Sequence, residues 1–370
     1  MTRGLLHPVR PLTSVVRDSN VRDNGKFYGP HPEDDCPCGS RRQARRCHRA
    51  DDHSWIAQRP PALLTDARTG YANAGCYARS SKDCDEELTL EHYISDDVLE
   101  SISADNKVVA VKGAAWQAGA QEKTIGVRSM ASRMLCRRHN HALSPLDKMA
   151  AEFFRYFRDD QLEVMCFLGN DFKRDFTLVS GPHLELWLLK VIWGAIEAKA
   201  LELEGSPAYR FRLGVTTAQL TEILWRGADW PPHWGMYMLH NQHPEHAVKQ
   251  NSVRLRLASH GSEVLGGYIQ IAGIEFLISF EMPPVPRTYR PCGLTIQRVG
   301  FPLRSWKMFA FAWPDLGHSI INAVSQVPPN VDFTKPPNPY AASIADQPVP
   351  GSLRVSSGRH QETPWSNNLS

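Results

Sequence analysis

No stretch of this 370-residue chain approaches the roughly eighteen unbroken apolar residues of a membrane span. The first twenty residues, MTRGLLHPVRPLTSVVRDSN, have a basic start but neither a sustained apolar segment nor a small-residue cleavage site. Export is therefore not expected, and the reading is a cytoplasmic protein with no membrane partner. Also missing are a phosphate-cradling glycine loop, a dinucleotide fingerprint and a Ser/His/Asp arrangement, which removes the commonest nucleotide-dependent and triad chemistries. There is no internal repeat. A dominant charge is lacking too: 42 Lys and Arg face 39 Asp and Glu, for a formal net charge of +3. The imbalance is local, because residues 1–60 hold eleven basic against seven acidic side chains. A basic patch of this kind suits either a polyanionic partner or a solvated arm.

What the chain does have is eight cysteines, which in a reducing compartment are better read as metal ligands or core thiols than as disulfides. Four of the soft or borderline ligands crowd into DDCPCGSRRQARRCH: Cys36-x-Cys38, eight residues, then Cys47-His48. Such a set suits one tetrahedral zinc ion, and Gly39 permits the turn that wraps it. The stretch resembles the SEC-C zinc motif, in which CPCGS is followed by a basic linker and CC or CH. The resemblance places Cys36, Cys38, Cys47 and His48 on the four ligand positions. It implies an accessory docking module with a possible protein partner.

A second set is scattered: Cys76 and Cys84, then Glu91-His92, then Cys136-x2-His139-Asn140 in SRMLCRRHNHALSPLD. Cys136 and His139 stand three apart at a helix start and can grip one ion, with Cys76 and Cys84 completing a tetrahedron. The order is similar to the HNH (ββα-metal) nucleases of the zinc-stabilised kind over Gly75 to Asp147. The resemblance implies Cys76, Cys84, Cys136 and His139 as structural zinc ligands and His92 as general base. Glu91 and Asn140 would hold a catalytic Mg²⁺ or Mn²⁺. Two spacings depart from that pattern: a C-x7-C pair needs a longer knuckle loop, and Asp96–Ser132 must contain an insertion. The middle asparagine of that pattern has no assignment here; Asn106 is available, but nothing in the sequence supports it. In such a site an imidazole takes the proton of the attacking water, and the hard-liganded ion stabilises the charge on the phosphorane and leaving oxygen. Arg133, Arg137 and Arg138 would contact phosphate, nucleic acid (DNA first) being the expected partner. The alternative is a catalytically silent zinc adaptor for nucleic acid or protein, with Glu91 a surface acid and His92 a core histidine.

The remaining pattern is mixed. Ser144-Pro145-Leu146-Asp147 reads as a helix start, Leu184 to Ile196 form an apolar helical stripe within about 183–203, and a short helix follows Thr216. Strand alternation then dominates, at Val253–Leu257, at Ile274–Phe280, in GLTIQRVG and in SWKMFAFAW, with Gly266-Gly267 and Ala272-Gly273 as expected turns. The expected fold class is α+β: a small zinc-stapled ββα-metal domain plus a C-terminal α+β domain with amphipathic helices and an antiparallel sheet. The expected divisions are 1–30 as a flexible arm, 31–50 as the first zinc motif and 60–147 as the HNH-like domain. Residues 148–317 form the domain of unknown role, and 327–370 a disordered tail. His240, His243 and His246 read as an ordinary loop. Cys166 and Cys292 read as core thiols.

Overall fold

The computed structural model describes residues 15–18, 30–51, 54–103, 108–112, 123–166, 175–203, 206–207, 212–239, 252–260, 262–283, 288–298, 306–314 and 322–327. Asn106, His240, His243 and His246, and the expected tail beyond Val327, lie outside the described residues, as does the Cys166 side chain. The fold is mixed α+β, as expected from the sequence. In chain order its elements begin with β1 (Val15–Asp18), β2 (Leu88–His92), α1 (Asp96–Ile102), β3 (Val108–Lys112), β4 (Lys123–Gly126) and β5 (Ala131–Cys136). There follow α2 (Arg137–Cys166), β6 (Asp175–Ser180), α3 (Gly181–Glu197), and the short strands β7 (Glu202–Leu203), β8 (Ser206–Pro207) and β9 (Arg212–Leu213). Then come α4 (Thr217–Arg226), β10 (Gly235–Leu239), β11 (Ser252–His260), β12 (Glu263–Ile271) and β13 (Ile274–Ser279). The last are β14 (Thr288–Tyr289), β15 (Gly293–Arg298), β16 (Trp306–Ala312) and β17 (Asn322–Val327). Among the described residues no helix is long and apolar enough to cross a membrane.

Two larger sheets organise these elements. One is mixed and runs β1-β6-β16-β15-β17. Val15–Asp18, expected in a flexible arm, instead pair antiparallel with Phe176–Val179. The other runs β14-β10-β13-β12-β11-β3-β4, with β9 attached to β12. The insertion expected at Asp96–Ser132 is thus α1 and the β3–β4 hairpin, and β3 joins this sheet parallel to β11. Alternation explains β11: Val253 and Leu255 face the core, while Arg256 lies over the Tyr268 ring at 4.3 Å and pairs with Glu275 at 2.9 Å.

The α2 helix starts beside Cys136, as the spacing to His139 suggests, and not at the second start signal of its sequence. Ser144 is not its N-cap. The helix is continuous from Arg137, with Pro145 inside it. The cap comes from across the fold, where Asp85 accepts from the Arg137 and Arg138 backbone N–H groups at 3.1 and 3.0 Å. A carboxylate there satisfies orphan donors and complements the helix dipole, and no local pattern could reveal it. Residue 147, an expected domain edge, falls within this helix, and buried side chains from both sides of it share one core. The α3 helix is apolar nearly all round because it packs on α2 and on both sheets. It ends at Glu197, short of the expected residue 203.

The first Cys/His stretch packs directly against the mixed sheet. Trp55 meets Phe176 at 5.0 Å between ring centroids, and Cys36, Ala44 and Cys47 share a buried cluster with Leu178, Met308 and Ala310. Backbone bonds lock the join: Ala57 N–H to Trp313 O at 3.0 Å, and Trp313 N–H to Trp55 O at 2.9 Å.

Gly266, expected in a turn, sits inside β12 at φ +151°, and a Cβ there would stand 2.1 Å from Ile278 O. That neighbour is backbone and cannot step aside, so Gly266→Ala should cost about 1–3 kcal/mol or more. Urea unfolding would read it against Gly126→Ala, where nothing lies within 4 Å; equal midpoints for the two variants would refute the account.

Candidate metal centres and the β2–α2 site

Two groups of four ligands come together, each with its donor atoms within 4.8 Å of one another: Cys36, Cys38, Cys47 and His48, and Cys76, Cys84, Cys136 and His139. A tetrahedral zinc with bonds of about 2.3 Å to sulfur and 2.0 Å to nitrogen has ligand–ligand edges of about 3.5–3.8 Å. In the first group Cys38 Sγ lies 3.4 Å from Cys47 Sγ, and His48 Nδ1 lies 3.3 and 3.2 Å from Cys36 and Cys47. In the second, His139 Nδ1 lies 3.8 Å from Cys76 Sγ and 3.1 Å from Cys136 Sγ. These distances fit a closed four-ligand site in both places. Local turns deliver the first set: Gly39 at φ +73° and Arg41 at φ +58° reverse the chain, and Cys36 N–H donates to Arg42 O at 2.7 Å.

The chemistry of the second set is specific. Ser81 donates its one hydroxyl proton to Ala78 O at 2.8 Å, so toward His139 Nε2, at 3.3 Å, it must accept. The His139 proton is thereby placed on Nε2, and the Nδ1 lone pair faces the sulfurs, as a metal ligand requires. The Cys76 thiol, with His139, holds Cys136 down to about 3, whereas the proximity of Cys136 and burial push Cys76 up. Burial raises Cys84 as well. Three buried sulfurs that must otherwise share protons are what a dication would neutralise. Trp225 closes the outside: its ring stands edge-on to His139 at 4.9 Å, and its Nε1–H donates to His139 O at 3.0 Å.

This group joins the loop before β2 to the start of α2, and β2 pairs antiparallel with β5, register Leu88↔Cys136 to His92↔Ala131. Asn140 therefore faces β2. Its Nδ2 donates to Thr89 Oγ1 at 2.8 Å and to Leu90 O at 3.3 Å. Glu91 is buried, with Oε1 2.6 Å from Lys190 Nζ of α3. His92 is partly buried, its Nε2 3.8 Å from Asp96 Oδ1. Lys190 also reaches Asp147 Oδ1 at 3.1 Å and donates to His92 O at 2.8 Å. Asp147 further accepts from Ser95 Oγ and from Trp187 Nε1 at 3.2 Å. Burial alone would depress Lys190, but the charges of Asp147 and Glu91 outweigh it and hold the ammonium above its ordinary value. Burial raises Glu91, the less hydrogen-bonded of the two acids.

The three arginines expected to meet phosphate differ. Arg133 is exposed opposite Leu90. Arg137 pairs with Glu87. Arg138 forks onto Asp66 at 2.8 and 2.9 Å and reaches the fully buried Asp83 at 3.0 Å, which also holds Arg226. Ser81, Asp83, Asp85, Asp147 and Lys190 were not singled out from sequence as site residues. The available signal was a lysine within the apolar run LELWLLKVIWG.

No known protein family matches the chain, and no curated protein or solved structure is significantly similar to it.

Purified protein should carry two zinc ions per chain, one for each four-ligand group. Ser81→Ala should keep the fold and weaken the second site by about 10–100-fold, read by competition with a chromophoric chelator. Unchanged affinity would mean that Ser81 does not set the histidine tautomer.

Proposed function

We propose that this chain is a zinc-stapled binding protein, an adaptor that has the frame of an HNH nuclease without its ion-dependent hydrolysis. The observation that carries the reading is the 2.6 Å contact between Lys190 Nζ and Glu91 Oε1. Glu91 is the carboxylate that the HNH resemblance assigns to the catalytic Mg²⁺ or Mn²⁺. An ammonium cancels its charge but offers no coordination position to a phosphoryl oxygen, and so cannot act as a Lewis acid. Lys190 is 1% exposed, which keeps it from reaching a phosphodiester itself. The two candidate zinc sites have four protein ligands each and leave no open position, the pattern of structural rather than catalytic zinc.

Support for a binding role comes from the SEC-C-like stretch, where Arg41, Arg42 and Arg46 are exposed beside the first ligand group in sequence. These side chains suit a polyanionic surface, on nucleic acid or on an acidic protein. Arg137 and Arg138 contribute less, since their charge is spent on Glu87, Asp66 and Asp83. A cytoplasmic location remains part of the proposal.

A second reading, the metal-dependent DNA endonuclease, is favoured by one feature: the Asp96 carboxylate beside His92 could orient its imidazole as a general base. Supercoiled plasmid separates the two. Incubated with Mg²⁺ or Mn²⁺, the protein is expected to produce no nicked circle beyond the buffer control. Nicking that needs the divalent ion and disappears in His92→Ala would replace the adaptor reading with the nuclease.

A further inference from the structure

The groups around Lys190 number one oxygen more than the three protons of an ammonium can serve. Its Nζ is surrounded by Glu91 Oε1 at 2.6 Å, His92 O at 2.8 Å, Asp147 Oδ1 at 3.1 Å and Ser95 Oγ at 3.4 Å. Two carboxylates, a carbonyl and a hydroxyl are the hard oxygen donors of a Ca²⁺, Mg²⁺ or Mn²⁺ site. With one ammonium against two acids, their formal charge also exceeds that of their occupant. The donors come from two segments, the β2–α1 junction and α2, and the cation comes from a third, α3. Trp187, one helical turn before Lys190, donates to Ser95 Oγ at 2.9 Å and to Asp147, so the donors are oriented independently of the lysine. The site has an opening: the Asp147 side chain is 21% exposed, whereas Lys190 and Glu91 are 1% and 6%.

We propose that Lys190 is a tethered cation filling an oxygen cage suited to a divalent ion, and that shortening it opens a divalent-ion site built from Glu91, Asp147, Ser95 and the His92 carbonyl. Asn140 is not among the groups given around Lys190; its amide nitrogen donates to Thr89 and Leu90. The inference rests on the adaptor reading in one respect, that the intact protein holds no ion at Glu91. In the variant, the side chains close from hydrogen-bond distances of about 2.6–3.4 Å toward the 2.0–2.6 Å of metal–oxygen bonds, with water filling the space left by the lysine stem.

The test compares intact protein, Lys190→Ala and the double variant Lys190→Ala with Glu91→Gln, all zinc-loaded. Mn²⁺ binding is read by electron paramagnetic resonance, and Tb³⁺ binding by luminescence excited through tryptophan, for which Trp187 is the adjacent donor. Lys190→Ala should bind about one Mn²⁺ per chain saturably, as a single cage of this donor set requires. Intact protein should lack that site, and the double variant should lose it. If Lys190→Ala folds only when Ca²⁺ or Mn²⁺ is added, by circular dichroism, the cage is equally supported. Absence of binding in folded Lys190→Ala, or failure to fold with or without the ion, overturns the proposal. So does a site of equal affinity in the intact protein. Plasmid nicking is scored separately, so a nuclease result would refute the adaptor reading without deciding whether the ammonium stands in for an ion.

Discussion

The convergence of Cys76, Cys84, Cys136 and His139 is the constraint on which the rest of this molecule depends. It links a loop that precedes β2 to the first turn of α2, and so sets where β2 lies along that helix. Asn140 meets Thr89, and Asp147, two turns further on, meets the region of Glu91 through Lys190. The ligand group is itself held from outside. Ser81 fixes the His139 tautomer, Trp225 covers the ring, and Tyr77 extends the aromatic packing to Trp193 and Trp225 at 4.7 and 5.9 Å. An ion held by the four ligand residues would couple metal binding to core packing in this region, and the free energy of one would contribute to the other.

Around this centre the structure places charge where an apolar core would ordinarily exclude it. Asp83, fully buried, receives Arg138 and Arg226. Glu185 receives Arg290 at 2.7 Å and the Met236 N–H at 2.7 Å. Lys190 sits between Glu91 and Asp147. Each of these buried charges has at least one opposite charge against it, the condition under which a buried ion is tolerated, and removing one partner is far more damaging than the pair is stabilising. These pairs join separate elements: the knuckle loop to α2 and α4, α3 to the segment before β15, and α3 to β2 and α2. They specify which elements meet.

Much of this was readable from the sequence, for identifiable reasons. Cys and His ligands at short spacing reveal themselves locally, so Cys36, Cys38, Cys47 and His48 form a group from the motif alone. The second group required pairing residues sixty positions apart, and it was legible because Cys76 and Cys84 otherwise lack a partner. Alternation in β11 and β13 and the short helix after Thr216 are local and agree with the structure, which adds that the Thr216 side chain caps that helix by accepting from Gln219 N–H at 3.2 Å. What escaped is non-local. The cap on α2 comes from Asp85, across the fold, and the helix that starts beside Cys136 runs on through Ser144 and Pro145, where the sequence suggests a fresh start. Gly266-Gly267 has the composition of a turn but serves close approaches, of Gly266 to the β13 backbone and of Gly267 to Ile192 of α3. The partner of Glu91 lies a hundred residues away on a helix whose pattern indicates only burial. The roles of Glu91, His92 and Asn140 were carried by resemblance, and geometry alone assigns their hydrogen bonds.

The floor on which the first Cys/His motif rests has a consequence for how the polypeptide assembles as it emerges. Its thiols and imidazole lie within thirteen residues and can gather an ion almost as soon as they leave the ribosome. Phe176, Leu178, Met308 and Ala310, which cover its apolar underside, are synthesised much later. For most of translation the motif would be a metallated knob with a bare hydrophobic sole, a state of high contact order that invites chaperone capture. Completion waits for β16, which pairs with β6 and brings Met308 and Ala310 under the motif.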